Sequence, residues 1–98
     1  MNSLSKFLKG PVIVETTGPD SYASGGFEVT VGELRIVKHA NVELSGGYVG
    51  EVASISGNTV TIKAYYFDYD ASADGVAIEV ADGTNLSSVS VKLIAWGY

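Results

Sequence analysis

YVGEVASISGNTVTIKAYYFDY, residues 48–69, is the stretch that decides the fold. Two runs rich in Val, Ile, Thr and Tyr meet at Gly57-Asn58, and no proline interrupts either one. Glycine tolerates positive φ and asparagine is the next most tolerant residue, so the pair suits the two-residue turn of a β-hairpin. In the second arm Val60, Ile62, Ala64 and Tyr66 share one face. Thr61, Lys63, Tyr65, Phe67 and Tyr69 share the other, because successive side chains on a strand point to opposite sides. That second face is unusually aromatic for one turned to solvent.

The same period of two runs outward from the hairpin in both directions. Val12 and Val14 alternate with Ile13 and Glu15, and Thr17-Gly18-Pro19-Asp20 supplies a turn. Phe27, Val29 and Val31 oppose Glu28 and Thr30. Leu34, Ile36 and Lys38 alternate with Arg35, Val37 and His39, and Val42 and Leu44 form a short strand ending at Ser45-Gly46-Gly47. Beyond an acidic loop come Val76, Ile78 and Val80, then a turn at Asp82-Gly83-Thr84. Leu86 is placed to plug the core, and Val89, Val91 and Leu93 make the last strand. Seven to nine short, mainly antiparallel strands without an internal helix predict an all-β chain: a single small β-sandwich or jelly-roll-like barrel. Immunoglobulin-like topology fits the pattern equally, since strand order is not readable from alternation.

Residues 1–10 differ from the rest. Leu4, Phe7 and Leu8 recur at a three-to-four spacing until Gly10-Pro11 ends the pattern. The division expected is an N-terminal arm over 1–10 and a β-domain over 11–98. Such an arm folds back on its own domain, docks on a neighbouring subunit or stays disordered.

Composition narrows the functional classes. The chain has 98 residues, 46% of them hydrophobic and only 17% charged, with 12 glycines and no cysteine. Six Lys/Arg against eleven Asp/Glu give a net charge of −5, which disfavours nucleic acid and anionic membranes as partners. Without cysteine, disulfides and thiolate chemistry are excluded. No stretch reaches the roughly 18–20 apolar residues of a membrane helix, and the N-terminus lacks the pattern of a secretory peptide. The expectation is a chain that starts at or near Met1 and is made in a cytoplasm.

Few residues carry the marks of a reactive site. From Asp68 as position 1, oxygen-bearing side chains fall at positions 1, 3, 5 and 7, with Glu79 at position 12. Asp68, Asp70, Asp74 and Glu79 thus imitate a calcium loop, although Ala73 stands where the sharp turn needs glycine and Glu79 lies in a strand pattern. An acidic, solvated loop between strands fits the same residues. His39 is the only histidine and no G-x-S-x-G turn is present, so no catalytic residues are expected. Asp68 and Asp70 sit at a spacing of about 7 Å on a strand face, within reach of glycoside hydrolysis, yet so short a chain offers little wall for a sugar cleft. Gly25-Gly26 and Gly46-Gly47 precede strands and offer no helix N-terminus to an anion. The aromatic residues remain. Tyr65, Phe67, Tyr69, Trp96 and Tyr98 exceed what one small core hides; packing between the sheets fits part of the set, and with Leu4, Phe7 and Leu8 of the arm they are the expected interface.

The second half resembles a family of small virion proteins of tailed phages and related viruses. The likeness rests on Gly46-Gly47-Tyr48-Val49, on Tyr65-Tyr66-Phe67-Asp68-Tyr69, on Gly83-Thr84-Asn85-Leu86-Ser87-Ser88-Val89-Ser90-Val91 and on Ile94-Ala95-Trp96-Gly97-Tyr98. Asn85 stands where the family carries aspartate, a mild departure because either side chain can hydrogen-bond a turn. Agreement covers residues 44–98, with a weaker match at 24–30. The resemblance implies a capsid decoration or cement protein on the outer head surface, often trimeric, whose partners are the major capsid protein and copies of itself. A tail or fibre component and a carbohydrate- or cell-surface-binding β-module, stabilised by calcium at the acidic loop, are the rival readings. No other cofactor is expected.

Overall fold

A computed structural model describes residues 9–68 and 76–98. Seven strands are formed among them: β1 (Lys9–Thr17), β2 (Phe27–Thr30), β3 (Val37–Leu44), β4 (Val49–Ser56), β5 (Thr59–Asp68), β6 (Val76–Glu79) and β7 (Ser90–Gly97). They make two sheets, one ordered β1-β7-β3 and the other β2-β5-β4, with β6 also on β5. Every pairing is antiparallel. The chain is an all-β sandwich, as the alternation predicts.

The hairpin forms where Gly57-Asn58 places it, with Ser56 across from Thr59 and Gly57 at φ 60. The turn also ties down its surroundings. The Asn58 amide donates to the carbonyls of Leu34 (2.9 Å) and Val31 (3.3 Å), while the Val31 and Val37 N–H groups each donate at 2.8 Å to the carbonyls of Asn58 and Gly57. One tight turn thereby holds the whole connection from β2 to β3.

That connection departs from the alternation. Residues 34–36 are not strand, and Val31, Leu34, Val37 and Ala40 are all buried, at intervals of three. Ile36, on the Leu34 face by alternation, is 44% exposed. The cause is backbone geometry: the segment bends to reach the Asn58 clamp, and a register shift between Val37 and His39 reverses the facing once more.

The main core lies between the sheets and joins Val29, Val60 and Ile62 of one to Val37, Ala40, Val91, Leu93 and Ala95 of the other, with Val31 and Leu34 from the connection. Burying each such Val, Leu or Ile contributes about 1.5–3 kcal/mol. A second cluster gathers Tyr22, Ala64, Val80, Leu86 and Val89 at one end. Leu86 is 1% exposed and plugs the core as expected.

One flank of β5 is shared by two short strands. β2 pairs along Thr59–Ile62 and β6 along Tyr65–Asp68, which leaves Lys63 and Ala64 between them, with the Ala64 backbone hydrogen-bonded on this flank. The Ala64 carbonyl accepts from the Val80 N–H at 2.9 Å, and its N–H donates to the Tyr22 hydroxyl at 3.1 Å. A side chain thus completes the ladder where no strand reaches.

Candidate functional site

The expected interface residues fall on opposite sides of the sandwich. On β7, Val91, Leu93 and Ala95 point inward, so Lys92, Ile94 and Trp96 form the outer face of their sheet. Ile94 lies across from Ile13 on β1 and Asn41 on β3, and Ile13 is 50% exposed. The Trp96 ring sits 5.2 Å from that of His39, tilted by 38°. Lys92 lies in register between Glu15 and Glu43. This face is therefore apolar at the Trp96 end and charged at the other.

The other outer face belongs to β4-β5-β6. Tyr65 lies between Val49 and Glu79, and Phe67 across from Ala77. Val49 and Phe67 are 43% and 39% exposed. The Tyr65 hydroxyl donates to Glu51 Oε1 at 2.9 Å, and this bond raises the phenol pKa above its ordinary value. The structure brings Tyr65 and Phe67 together and sets Trp96 on the far side. Tyr98 is half-buried, its backbone bonded to Arg35 and Ile36. Leu4, Phe7, Leu8 and Tyr69 lie outside the described residues.

For the calcium loop, Asp70 and Asp74 also lie outside the described residues, as does the side chain of Asp68. Glu79 is described, and its Oε2 accepts from the Tyr22 hydroxyl (2.8 Å) and the Gly25 N–H (2.9 Å). These two donors, the backbone N–H first, lower the Glu79 pKa below the usual carboxylate range. Burial pushes the Tyr22 phenol up to about 12. Asp82 caps the same 22–26 loop by accepting from the Ser24 N–H. Among the described residues no three His, Cys, Asp or Glu side chains converge as metal ligands do.

Tyr22, Asn58 and Gly97 escape a reading by alternation. Tyr22 lies in a turn-rich stretch, where nothing marks it as 1% exposed. A Cβ at Gly97 would collide with the Ile36 carbonyl oxygen. That is why glycine follows Trp96.

With this geometry in view, comparison with known proteins adds no relative: no family model, curated protein or solved structure matches the chain.

Proposed function

We propose that this chain is a structural, non-enzymatic protein of a virion, which decorates the outer capsid and steadies the head lattice. Its partners in this reading are the major capsid protein and neighbouring copies of itself, with a trimer favoured. The observation that carries it is the placement of apolar side chains on both outer faces: exposed Ile13 beside half-buried Ile94 and Trp96 on one, exposed Val49 and Phe67 beside half-buried Tyr65 on the other. A protein that links neighbours needs two such surfaces, and exposed aromatic clusters are what protein interfaces favour. β1 starts at Lys9, which lies across from Gly97, so the arm joins the domain beside Trp96. The resemblance over residues 44–98 supports the same reading.

The test has two measurements. Sedimentation velocity on the purified chain should show concentration-dependent self-association, and the chain should pellet with empty capsids of the virus that encodes it. Lys9 and Gly10 of the expected 1–10 arm belong to β1, so deleting residues 1–8 removes the arm without cutting the strand and should weaken retention on capsids. A chain that stays monomeric at every concentration and never pellets with capsids would sink the proposal.

A further inference from the structure

We propose that the cleft between Tyr48 and Tyr66 is a carbohydrate-binding site that takes a single sugar unit of a glycan. The site is separate from both outer faces, because these two tyrosines belong to the inner face of their sheet. Val49 pairs with Tyr65, so extending the register by one residue sets Tyr48 across from Tyr66. Tyr66 follows Val60, Ile62 and Ala64 along the inner side of β5, yet it is 40% exposed where those three are buried. Here the sheet runs past the end of the core. The two rings do not stack on one another: the ring pairs among the described residues are Tyr22 with Phe27 and His39 with Trp96. Tyr48 and Tyr66 line a cleft of about 370 Å³ together with Val80, Ala81, Thr84, Gly46 and Gly47.

The chemistry of the lining selects the ligand. The volume lies at the low end of the roughly 300–1,000 Å³ range of small-molecule sites and has room for one ring. Two tyrosine rings and a valine offer apolar surface to the C–H face of a pyranose. The polar groups are available as well. Neither the Tyr48 nor the Tyr66 hydroxyl has a hydrogen-bond partner among the described residues, and the Gly46 and Gly47 backbones have none either. Thr84 donates its hydroxyl hydrogen to the Ala81 carbonyl at 2.8 Å, so its oxygen can still accept. A purely aliphatic ligand would cover these donors and leave them unsatisfied, at a cost. A sugar hydroxyl both donates and accepts, and can meet each of them.

The two glycines leave their side of the cleft free of side chains. Gly46 and Gly47 hold φ values of 73 and 85, which disfavour any residue with a side chain, and a Cβ on Gly47 would meet nothing within 4 Å. The space beside the cleft is therefore open to a ligand approaching from solvent.

The experiment is a heteronuclear NMR titration of the full chain with methyl α-D-glucoside, methyl α-D-mannoside, methyl β-D-galactoside and N-acetylglucosamine, with p-cresol as an apolar comparator. At least one of the sugars should shift the Gly46, Gly47, Tyr48, Ala81 and Thr84 amides saturably, leaving residues of the outer faces in place. Tyr66→Ala should abolish those shifts, and thermal melting would confirm that this exposed position is dispensable for folding. Tyr66→Phe retains the ring and should weaken binding by up to about tenfold, the net worth of one hydrogen bond. The proposal is overturned if none of the four sugars shifts those amides, if p-cresol alone does so, or if Tyr66→Ala binds as the parent chain does.

Discussion

The Tyr22 hydroxyl donates to Glu79 at 2.8 Å and accepts from the Ala64 N–H at 3.1 Å, joining a loop, the end of β6 and the middle of β5. It occupies the break between the two short strands on that flank of β5. Strand β2 ends its pairing with β5 at Ile62 and β6 begins at Tyr65, so one backbone N–H would otherwise be buried without a partner. The phenol supplies the acceptor, and Glu79 in turn fixes the phenol. Because Glu79 also holds the Gly25 N–H, the 22–26 loop and the sheet edge are ordered together.

Replacing Tyr22 with phenylalanine should therefore cost more than a surface change at equal volume. The ring would still fill the second core cluster, but the Ala64 N–H would lose its acceptor. The expected loss is about 1–3 kcal/mol, the penalty for one unsatisfied buried donor. Urea denaturation measures it. A midpoint equal to that of the parent chain would show that another acceptor, such as water, replaces the phenol.

The same pair predicts opposite responses to acid and to base. The folded-state pKa of Glu79 is lowered, so its contribution is present above the unfolded carboxylate pKa and is lost as pH falls through the folded value. Tyr22 behaves in the other direction. Its folded pKa is raised from 10.0 to about 12, so its contribution is complete below pH 10 and is lost as pH rises towards 12. Thermal melting across pH should show both declines. Glu79→Gln should remove much of the first and Tyr22→Phe much of the second.

Legibility in the sequence follows the reach of each interaction. The β4–β5 hairpin was legible because its turn residues and both alternating arms are local. Leu34–Val37 was not, because a clamp from Asn58, more than twenty residues later, bends that segment into a three-residue interval of buried positions. The cleft was hidden for a similar reason. Ser56 pairs with Thr59 and Ile55 with Val60, but an irregularity between Val52 and Ser54 moves the register by one, so Tyr48 comes to face Tyr66 and not Phe67. A bulge of one residue redirects every side chain beyond it, and composition does not announce where it will fall. The exposed aromatics were recognisable as a set, whereas their division between two outer faces depends on which strands share a sheet.

Two glycines should respond differently to alanine. At Gly97 the new Cβ would meet the Ile36 carbonyl oxygen and the Val37 Cα, and backbone cannot move aside cheaply. At Gly50 the nearest atoms are Val42 Cγ1 at 2.9 Å and Leu44 Cγ at 3.1 Å, which rotamer changes can relieve. Gly97→Ala should cost about 3 kcal/mol, and Gly50→Ala about 1 kcal/mol, the two ends of the usual overpacking range. Denaturation midpoints of the two variants give the comparison, and equal losses would mean that the β7 end yields as easily as a side chain.

Asn58→Ala should loosen the connection it clamps. Two hydrogen bonds to the Leu34 and Val31 carbonyls would go, for a loss of about 1–2 kcal/mol. Hydrogen exchange offers a local reading. The Val37 amide, which donates to the Gly57 carbonyl, should exchange faster in the variant, while Leu93 in the central strand of the other sheet keeps its protection. Uniform acceleration at both would indicate that the clamp acts on global stability alone.

The opposed faces make the proposed lattice role testable one side at a time. Ile94→Lys places a charge beside Ile13 and Trp96 on the β1-β7-β3 face; Val49→Lys does so beside Tyr65 on the β4-β5-β6 face. Both positions point outward, so neither charge enters the core, and melting should change little. Truncating or charging a central interface residue commonly costs about 2 kcal/mol or more in binding, roughly thirtyfold in Kd. If one face meets the capsid and the other a neighbouring copy, each variant should suppress one readout: pelleting with capsids for one, self-association in sedimentation velocity for the other. Variants that leave both readouts intact would show that neither outer face is an interface. Variants that suppress the same readout would place both contacts with one partner, and the two-neighbour arrangement would fail.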